Sequence, residues 1–186
     1  TATLQELLAD GWRLGVIAGT DNHLGRPAHG WTWNTTRTVP NPNHPDKSQR
    51  GRYSSPVFGN GLACILAKSN TREDLFEAMR ARRTYATTGE RILLDFRVDG
   101  HLMGSEIVCD GSPHVSIRVI GTRVIEQVEI VRDGSVVYSD EPGQRELSID
   151  VDLEPAGDST SYVYARISQV DGNLAWSSPV WFSTGE

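Results

Sequence analysis

The sequence is poor in cysteine and methionine, and it lacks long hydrophobic runs. Its 186 residues include two Cys and two Met, so we expect neither a disulfide framework nor a cysteine-ligated metal site. No stretch approaches the roughly 20 apolar residues of a membrane-spanning helix. The first dozen residues also lack the basic and then apolar pattern of a secretory signal. Because there is no initiator Met, we expect a portion of a longer or processed polypeptide.

The composition favours a folded protein. A hydrophobic fraction of 38% and five Trp exclude disorder and suffice for one medium domain or two small ones. Charge is unevenly distributed, since residues 1–90 hold 11 Lys and Arg against 8 Asp and Glu, whereas residues 91–186 hold 7 against 16. An acidic second half argues against a nucleic-acid partner. We expect Cys64 and Cys109 to be buried free thiols.

Two helices are predicted in the first half. Residues 3–10 begin with a capping box formed by Thr3 and Glu6. Residues 70–83 begin at Thr71, with Asp74 closing a second box. The apolar side chains that we expect this second helix to turn towards a core are Leu75, Phe76 and Met79.

Two short apolar runs, 14–19 and 61–67, do not alternate with polar residues. Such runs are typical of strands buried on both faces of a parallel sheet. Residues 24–60 read as a long loop, and residues 84–89 as a polar turn. Two buried strands do not complete a parallel sheet, so we expect the first half to be the end of a larger α/β domain whose remainder is missing or comes from a second chain.

The second half has a different pattern. Apolar residues alternate with polar ones in runs at 92–98, 115–119, 147–153 and 163–167. Three Asp-Gly pairs lie between such runs, at Asp99-Gly100, Asp133-Gly134 and Asp171-Gly172, and this pair is a strong hairpin signal. About eight short strands without a helix pattern predict an antiparallel, immunoglobulin-like β-sandwich. We therefore predict two domains, an α/β part over 1–90 and a β-sandwich over 91–186.

The most specific chemical signal follows the first apolar run. Asp21 and His23 are two positions apart, so in extended chain they point the same way, about 6.6 Å apart. A carboxylate beside an imidazole suits Zn, Mn or Fe, although a loop Asp next to an ordinary His is an alternative interpretation of the spacing alone. Arg26 is a candidate catalytic residue that stabilises negative charge on an anionic substrate or transition state.

Three segments resemble one known family. Leu14 to Gly25, which reads LGVIAGTDNHLG, resembles the closing strand motif of the polymerase and histidinol phosphatase (PHP) superfamily of metal-dependent hydrolases. Thr71 to Gly89 resembles the segment that follows in its carbaryl-hydrolase-like (CehA/McbA-type) members. Asp171 to Trp181 is similar to the end of their appended β-domain.

This resemblance implies the C-terminal part of a distorted (β/α)7 barrel that carries divalent metal ions at its strand ends. A metal-bound hydroxide would attack an anionic phosphate ester or a related ester. Asp21 and His23 match the last two metal ligands of the family, and the other ligands come from earlier strands. The expected function is thus part of a metal-dependent hydrolase, incomplete in this chain.

Two other functions remain open at this stage. The β-sandwich is itself a candidate binding or assembly module without catalysis, in which exposed aromatic side chains form a carbohydrate or protein surface. A third interpretation makes the sandwich a structural support for the α/β part. The sequence does not identify the substrate, the metal or the cellular compartment.

Two ligands do not hold a catalytic metal, which normally takes at least three protein ligands. We therefore expect the 186-residue chain to bind Zn²⁺ or Mn²⁺ weakly in isothermal titration calorimetry, and Asp21→Ala to remove that binding. Tight stoichiometric binding that survives Asp21→Ala would contradict the assignment of these ligands.

Overall fold

The structure is a computed structural model, and it describes residues 3–19, 61–155, 157 and 160–185. Within these ranges it contains two helices and eleven strands. In chain order they are α1 (Leu4–Ala9), β1 (Leu62–Ile65), α2 (Arg72–Arg80), β2 (Thr84–Thr87), β3 (Leu93–Val98), β4 (His101–Leu102), β5 (Glu106–Cys109), β6 (His114–Arg132), β7 (Ser135–Asp140), β8 (Gln144–Asp152), β9 (Ser161–Gln169), β10 (Leu174–Ser177) and β11 (Val180–Thr184). Apart from β5 and β11, which run parallel, the strand pairs are antiparallel.

The long strand β6 is a member of both sheets of the sandwich. Its first half pairs with β3 and β8, and its second half pairs with β7 and β9. Pairing with β8 shifts register between Ile120 and Ile125. Gly121 lies in this bend, where a Cβ atom would come within 2.4 Å of the Arg123 carbonyl oxygen. The chain therefore crosses from one sheet to the other within a single strand.

The core lies between these two sheets. Each sheet turns alternate apolar residues inward, and one cluster of buried side chains includes members of both. Fully buried examples are Phe96, Ile117, Ile130, Ile167 and Phe182. Their positions match the alternating runs of the sequence, because successive side chains of a strand point to opposite faces. The predicted β-sandwich is confirmed.

The Asp-Gly pairs lie in turns as predicted, and two of them share one geometry. Asp99 and Gly100 have φ of 47° and 76°, and Asp133 and Gly134 have 49° and 82°. Positive φ at both central residues defines the type I′ turn, whose twist matches that of the flanking strands. The third pair lies in a longer connection between β9 and β10, where only Gly172 has positive φ.

The predicted parallel strands are absent from the part of the chain described here. Residues 14–19 form no strand, and Ile17 is 64% exposed. The backbone N–H of Val16 donates to Ser178 Oγ (2.8 Å) rather than to a neighbouring strand. The run at 61–67 does contain β1, but β1 is only partly buried and pairs antiparallel with β2. The described residues therefore show no portion of an α/β barrel, because a short apolar run does not by itself specify a buried parallel strand.

Residues 84–89, predicted to be a polar turn, contain the fully buried strand β2. β2 lies between β1 and β10 and so extends the second sheet. Its polar Thr84 is tolerated because Thr84 Oγ1 lies 3.1 Å from Ser178 Oγ, which also donates to the Thr84 carbonyl (2.6 Å). Residues on both sides of position 90 thus share one hydrogen-bonded sheet, while the domain boundary there stays a prediction.

Helix α1 forms a third layer, on the outer face of the second sheet. Its capping box is present as predicted, with the Glu6 N–H donating to Thr3 Oγ1 (3.3 Å) and the Thr3 N–H donating to the Glu6 carboxylate (2.6 Å). The Thr3 N–H and the Thr3 hydroxyl both donate to the Glu6 carboxylate, and these two bonds lower the pKa of Glu6. Leu8 is buried against Tyr162 and Trp181 on the sheet. The N-terminal segment is therefore packed on the sandwich.

We predict that Gly104 fixes the contact between the β4–β5 turn and the end of α2. Its φ is +89°, and a Cβ atom would lie 2.4 Å from the carbonyl oxygens of Ala81 and Arg82. Gly100 is the matched control, since its φ is +76° but the space around it is open. Gly100→Ala should lower the free energy of unfolding by about 1–2 kcal/mol, from backbone strain alone. Gly104→Ala should lower it by about 2 kcal/mol more, as measured by chemical denaturation. If both variants lose the same free energy of unfolding, the contact at Gly104 is not tight.

Candidate docking surface

The predicted metal site cannot be located. Asp21, His23 and Arg26 lie outside the described residues, as does the whole of the predicted loop over 24–60. Among the residues that the structure does describe, no group of three His, Cys, Asp or Glu side chains is placed to hold a metal ion. Within the same part, no helix is long and apolar enough to cross a bilayer. The roles assigned to these three residues stay predictions.

The two cysteines are free thiols, as predicted, but Cys64 is only partly buried. Cys109 is buried and its Sγ lies 2.9 Å from an Asp99 carboxylate oxygen. Burial and this carboxylate raise the pKa of Cys109 to about 12. Burial likewise raises the pKa of Cys64. Because the thiolate is the reactive form, neither cysteine is suited to act as a nucleophile at neutral pH.

Helix α2 forms where the sequence predicts it, with a different cap. Thr71 Oγ1 accepts the N–H of Asp74 (3.3 Å), but the Asp74 carboxylate accepts from the Ser69 hydroxyl instead of closing the box. At the other end Arg82 has φ of 56°. The N–H groups of Arg82 and Arg83 bond the carbonyls of Met79 (3.0 Å) and Ala78 (2.9 Å). This is a Schellman ending with arginine at the position that glycine usually takes.

Of the three apolar residues of α2 predicted to face a core, Leu75 is partly buried, but Phe76 and Met79 face outward. Ala78 is its one buried residue, while Phe76 is 57% and Met79 45% exposed. Successive helical residues are 100° apart, so Ala78 lies about 200° around the axis from Phe76. The apolar side chains of the helix form one arc about 160° wide, which runs from Ala78 through Leu75 and Met79 to Phe76. The prediction failed because only the Ala78 edge of this arc is buried, and the sequence does not show which edge the sheet covers.

An aromatic and ionic cluster fixes the end of α2 on the sandwich. The guanidinium groups of Arg82 and Arg13 lie over the Trp181 ring, at 5.0 and 5.4 Å from its centroid. Glu106 bonds both cations, at 2.7 Å from Arg82 and 3.8 Å from Arg13, and Arg82 Nε donates to the Gly104 carbonyl (3.1 Å). Cation–π contacts with a buried ring offset the strain of a left-handed arginine, which is of order 1–3 kcal/mol. The cluster therefore holds α2 in one orientation.

The aromatic side chains of the sandwich are not an open binding surface. Tyr162, Tyr164 and Trp181 share the outer face of the second sheet, but α1 covers them and each is at most 5% exposed. The Tyr164 hydroxyl accepts from Gln5 Nε2 (3.2 Å). Burial is the main reason that the pKa of Tyr162 is raised. These aromatics hold α1 in place, so the expected carbohydrate surface is not found among them.

A polar groove crosses the outer face of the first sheet. It encloses about 190 Å³, less than the roughly 300–1,000 Å³ of typical small-molecule sites. Within the groove Arg97 pairs with Asp95 at 3.0 Å, and Arg118 pairs with Glu146 beside the groove at 3.3 Å. Paired surface charges of this kind are ordinary for a solvated sheet face. The exposed apolar side of α2 is therefore a better candidate for a binding surface than this groove.

Residues 2–107 match the model of the family described as "Protein of unknown function (DUF3604)". The match covers more than half of the chain and includes both helices. The chain belongs to this family. Because the matching family is DUF3604 and no PHP family matches, the resemblance to PHP-type hydrolases drawn from the sequence motifs is wrong.

Three chlamydial proteins described as uncharacterized are similar to the chain. The Chlamydia pneumoniae protein is 36% identical over 148 residues, the Chlamydia muridarum protein 32% over 141 and the Chlamydia trachomatis protein 31% over 156. The matches cover 69%, 67% and 75% of this chain but 24%, 23% and 24% of those proteins. The chain thus spans about a quarter of the length of these relatives.

Two solved structures share part of the architecture. Fibronectin(III)-like modules of Clostridium thermocellum CbhA superpose with a TM-score of 0.37 at 16% identity, covering 49% of this chain and 98% of theirs. An engineered protein superposes with a TM-score of 0.31 at 22% identity, covering 49% of this chain and 20% of its own. Neither likeness bears on function.

The two methionines offer a direct measure of the exposed side of α2. Met79 is 45% exposed, whereas Met103 is fully buried in the sandwich core. We expect dilute hydrogen peroxide to convert Met79 to its sulfoxide well before Met103 in the folded chain, because oxidation follows exposure. Peptide mass spectrometry reads both sites in one sample. Similar rates at the two sites would contradict the structure of α2.

Proposed function

We propose that this chain is a binding and assembly module without a catalytic step of its own. In this proposal the β-sandwich is the rigid support, and the outward side of α2 is the docking face for a further part of a longer polypeptide. The observation that carries the proposal is the exposure of Phe76 and Met79 on a helix whose opposite side is already packed.

The energetics of the helix support this function. Burying a side chain of the size of Phe or Met contributes about 1.5–3 kcal/mol, and this contribution is not realised while Phe76 and Met79 face water. Elsewhere in the first half Trp12 and Ile17 are also more than half exposed. Large exposed apolar groups that lie together mark protein interaction sites more often than scattered single ones do.

The fixed orientation of α2 also supports docking. The Arg82–Trp181–Glu106 cluster and the close approach at Gly104 hold the end of the helix against β11 and the β4–β5 turn. A preorganised surface loses less conformational entropy when it binds. A helix that only faces solvent would not require an end that is anchored in this way.

The comparison with relatives suggests what the occupant is. The family match begins near α1 and ends at residue 107, so it includes α2 and strands β1 to β4 but none of the strands from β6 onward. The chlamydial relatives are about four times as long as the part they share with this chain. A long polypeptide supplies further protein surface that can cover α2, and we take that surface as the occupant.

We predict that Met79 is protected in the natural gene product that carries residues 1–186. Docking would exclude peroxide from the sulfur, so oxidation should be about tenfold slower there than in the 186-residue chain, equivalent to about 1.4 kcal/mol. Phe76→Asp places a charge in the apolar contact and should restore fast oxidation of Met79 in the gene product.

Val136→Asp is the matched control, because Val136 is similarly exposed (48%) but lies on β7 of the sandwich. This variant should leave the protection unchanged. If Met79 oxidises equally fast in the chain and in the gene product, α2 is not a docking face and the proposal is wrong.

A further inference from the structure

We infer that the protein surface that covers α2 is apolar at its centre and carries carboxylates at both ends of the contact. This inference rests on the proposed function and names the chemistry of the partner surface. It is drawn from the positions of charged and apolar side chains along the exposed side of the helix.

The exposed side of α2 is a narrow ridge. Arg72, Phe76 and Arg80 are four residues apart along the helix, and Met79 is three residues from Phe76. Residues at these spacings lie on one helical face, roughly 5–6 Å apart. The ridge therefore runs from one arginine, over two apolar side chains, to a second arginine.

The second arginine is already engaged with the apolar part of the ridge. The Arg80 guanidinium lies 6.0 Å from the centroid of the Phe76 ring. A guanidinium held near a ring still offers N–H groups that a carboxylate can accept bidentately. A partner that covers Phe76 must therefore also meet Arg80.

Acidic residues of the helix neutralise the ridge only in part. Glu77 lies to one side, 4.0 Å from Arg83, and the Asp74 carboxylate is held by Ser69 at the N-terminus. Glu73 is three residues from Phe76 and flanks the ridge, so the two arginines and this glutamate leave a net charge of +1 there. An uncharged partner would have to desolvate both arginines without compensation, which is costly. A partner with carboxylates at the two ends offsets that cost.

The acidic second half of this chain is an alternative source of carboxylates. A second copy placing its sandwich on α2 would make a head-to-tail contact, and such contacts form open chains unless they close into a ring. We therefore favour a further part of the polypeptide in the natural gene product as the surface that covers α2. Self-association of the 186-residue chain is one of the outcomes that the test distinguishes.

The test is the rate of Met79 oxidation in the natural gene product. Arg72→Glu should raise this rate about tenfold, because like charges facing each other across an interface repel. The substitution does not weaken the helix itself, since an acidic residue in the first turn is favoured by the helix dipole. About 0.5 M NaCl should also raise the rate in the unmodified protein, through screening. Arg118→Glu, on the outer face of the first sheet, is the charge-reversal control and should have no effect.

The outcomes separate the two proposals. If Met79 is protected and Phe76→Asp exposes it, but Arg72→Glu and salt have no effect, docking stands and the acidic partner surface is wrong. If Met79 is not protected in the gene product, the proposed function is wrong, and the inference that rests on it is wrong as well. Protection that appears in the 186-residue chain alone as its concentration rises would assign the face to a second copy and overturn the inference.

Discussion

The pairing of β2 with β10 is the constraint on which the other elements depend. It adds β2, and through it β1, to the edge of the second sheet, so the N-terminal elements are bonded to the sandwich. Ser178 strengthens this junction, because its hydroxyl bonds both Thr84 and the backbone of Val16. Helix α2 ends shortly before β2 begins, so the sheet fixes where the helix lies. The position of the exposed apolar ridge follows from this strand pairing.

Packing and electrostatics act together at the end of α2. Arginine in a left-handed conformation is strained, and Arg82 remains there because its side chain contacts Trp181, Glu106 and the Gly104 carbonyl. These contacts fix the end of the helix in the orientation in which Phe76 is exposed. An exposed Phe76 is thus the consequence of an anchored helix, and this is why we interpret it as a surface for another part of a protein.

Sequence patterns predicted the structure correctly wherever neighbouring residues alone determine it. Strand alternation, Asp-Gly turns and the capping residues Thr3 and Thr71 were confirmed, because each depends on neighbouring residues alone. They failed at residues 84–87, where a polar Thr-rich segment is a buried strand. The hydroxyls there find partners on distant residues such as Ser178, and no local pattern predicts such a partner. The family resemblance drawn from short motifs was also wrong.

The sequence by itself determined the β-sandwich, the two helices and the free thiols, since these follow from periodicity, capping and the number of cysteines. Only the tertiary structure decided that residues 14–19 form no strand, that β2 is buried, and that α2 turns Phe76 and Met79 outward. The physical reason is that a side chain's burial depends on which surfaces meet. The apolar arc of α2 is wider than the part that the sheet covers, and no local signal shows which edge of the arc will be buried.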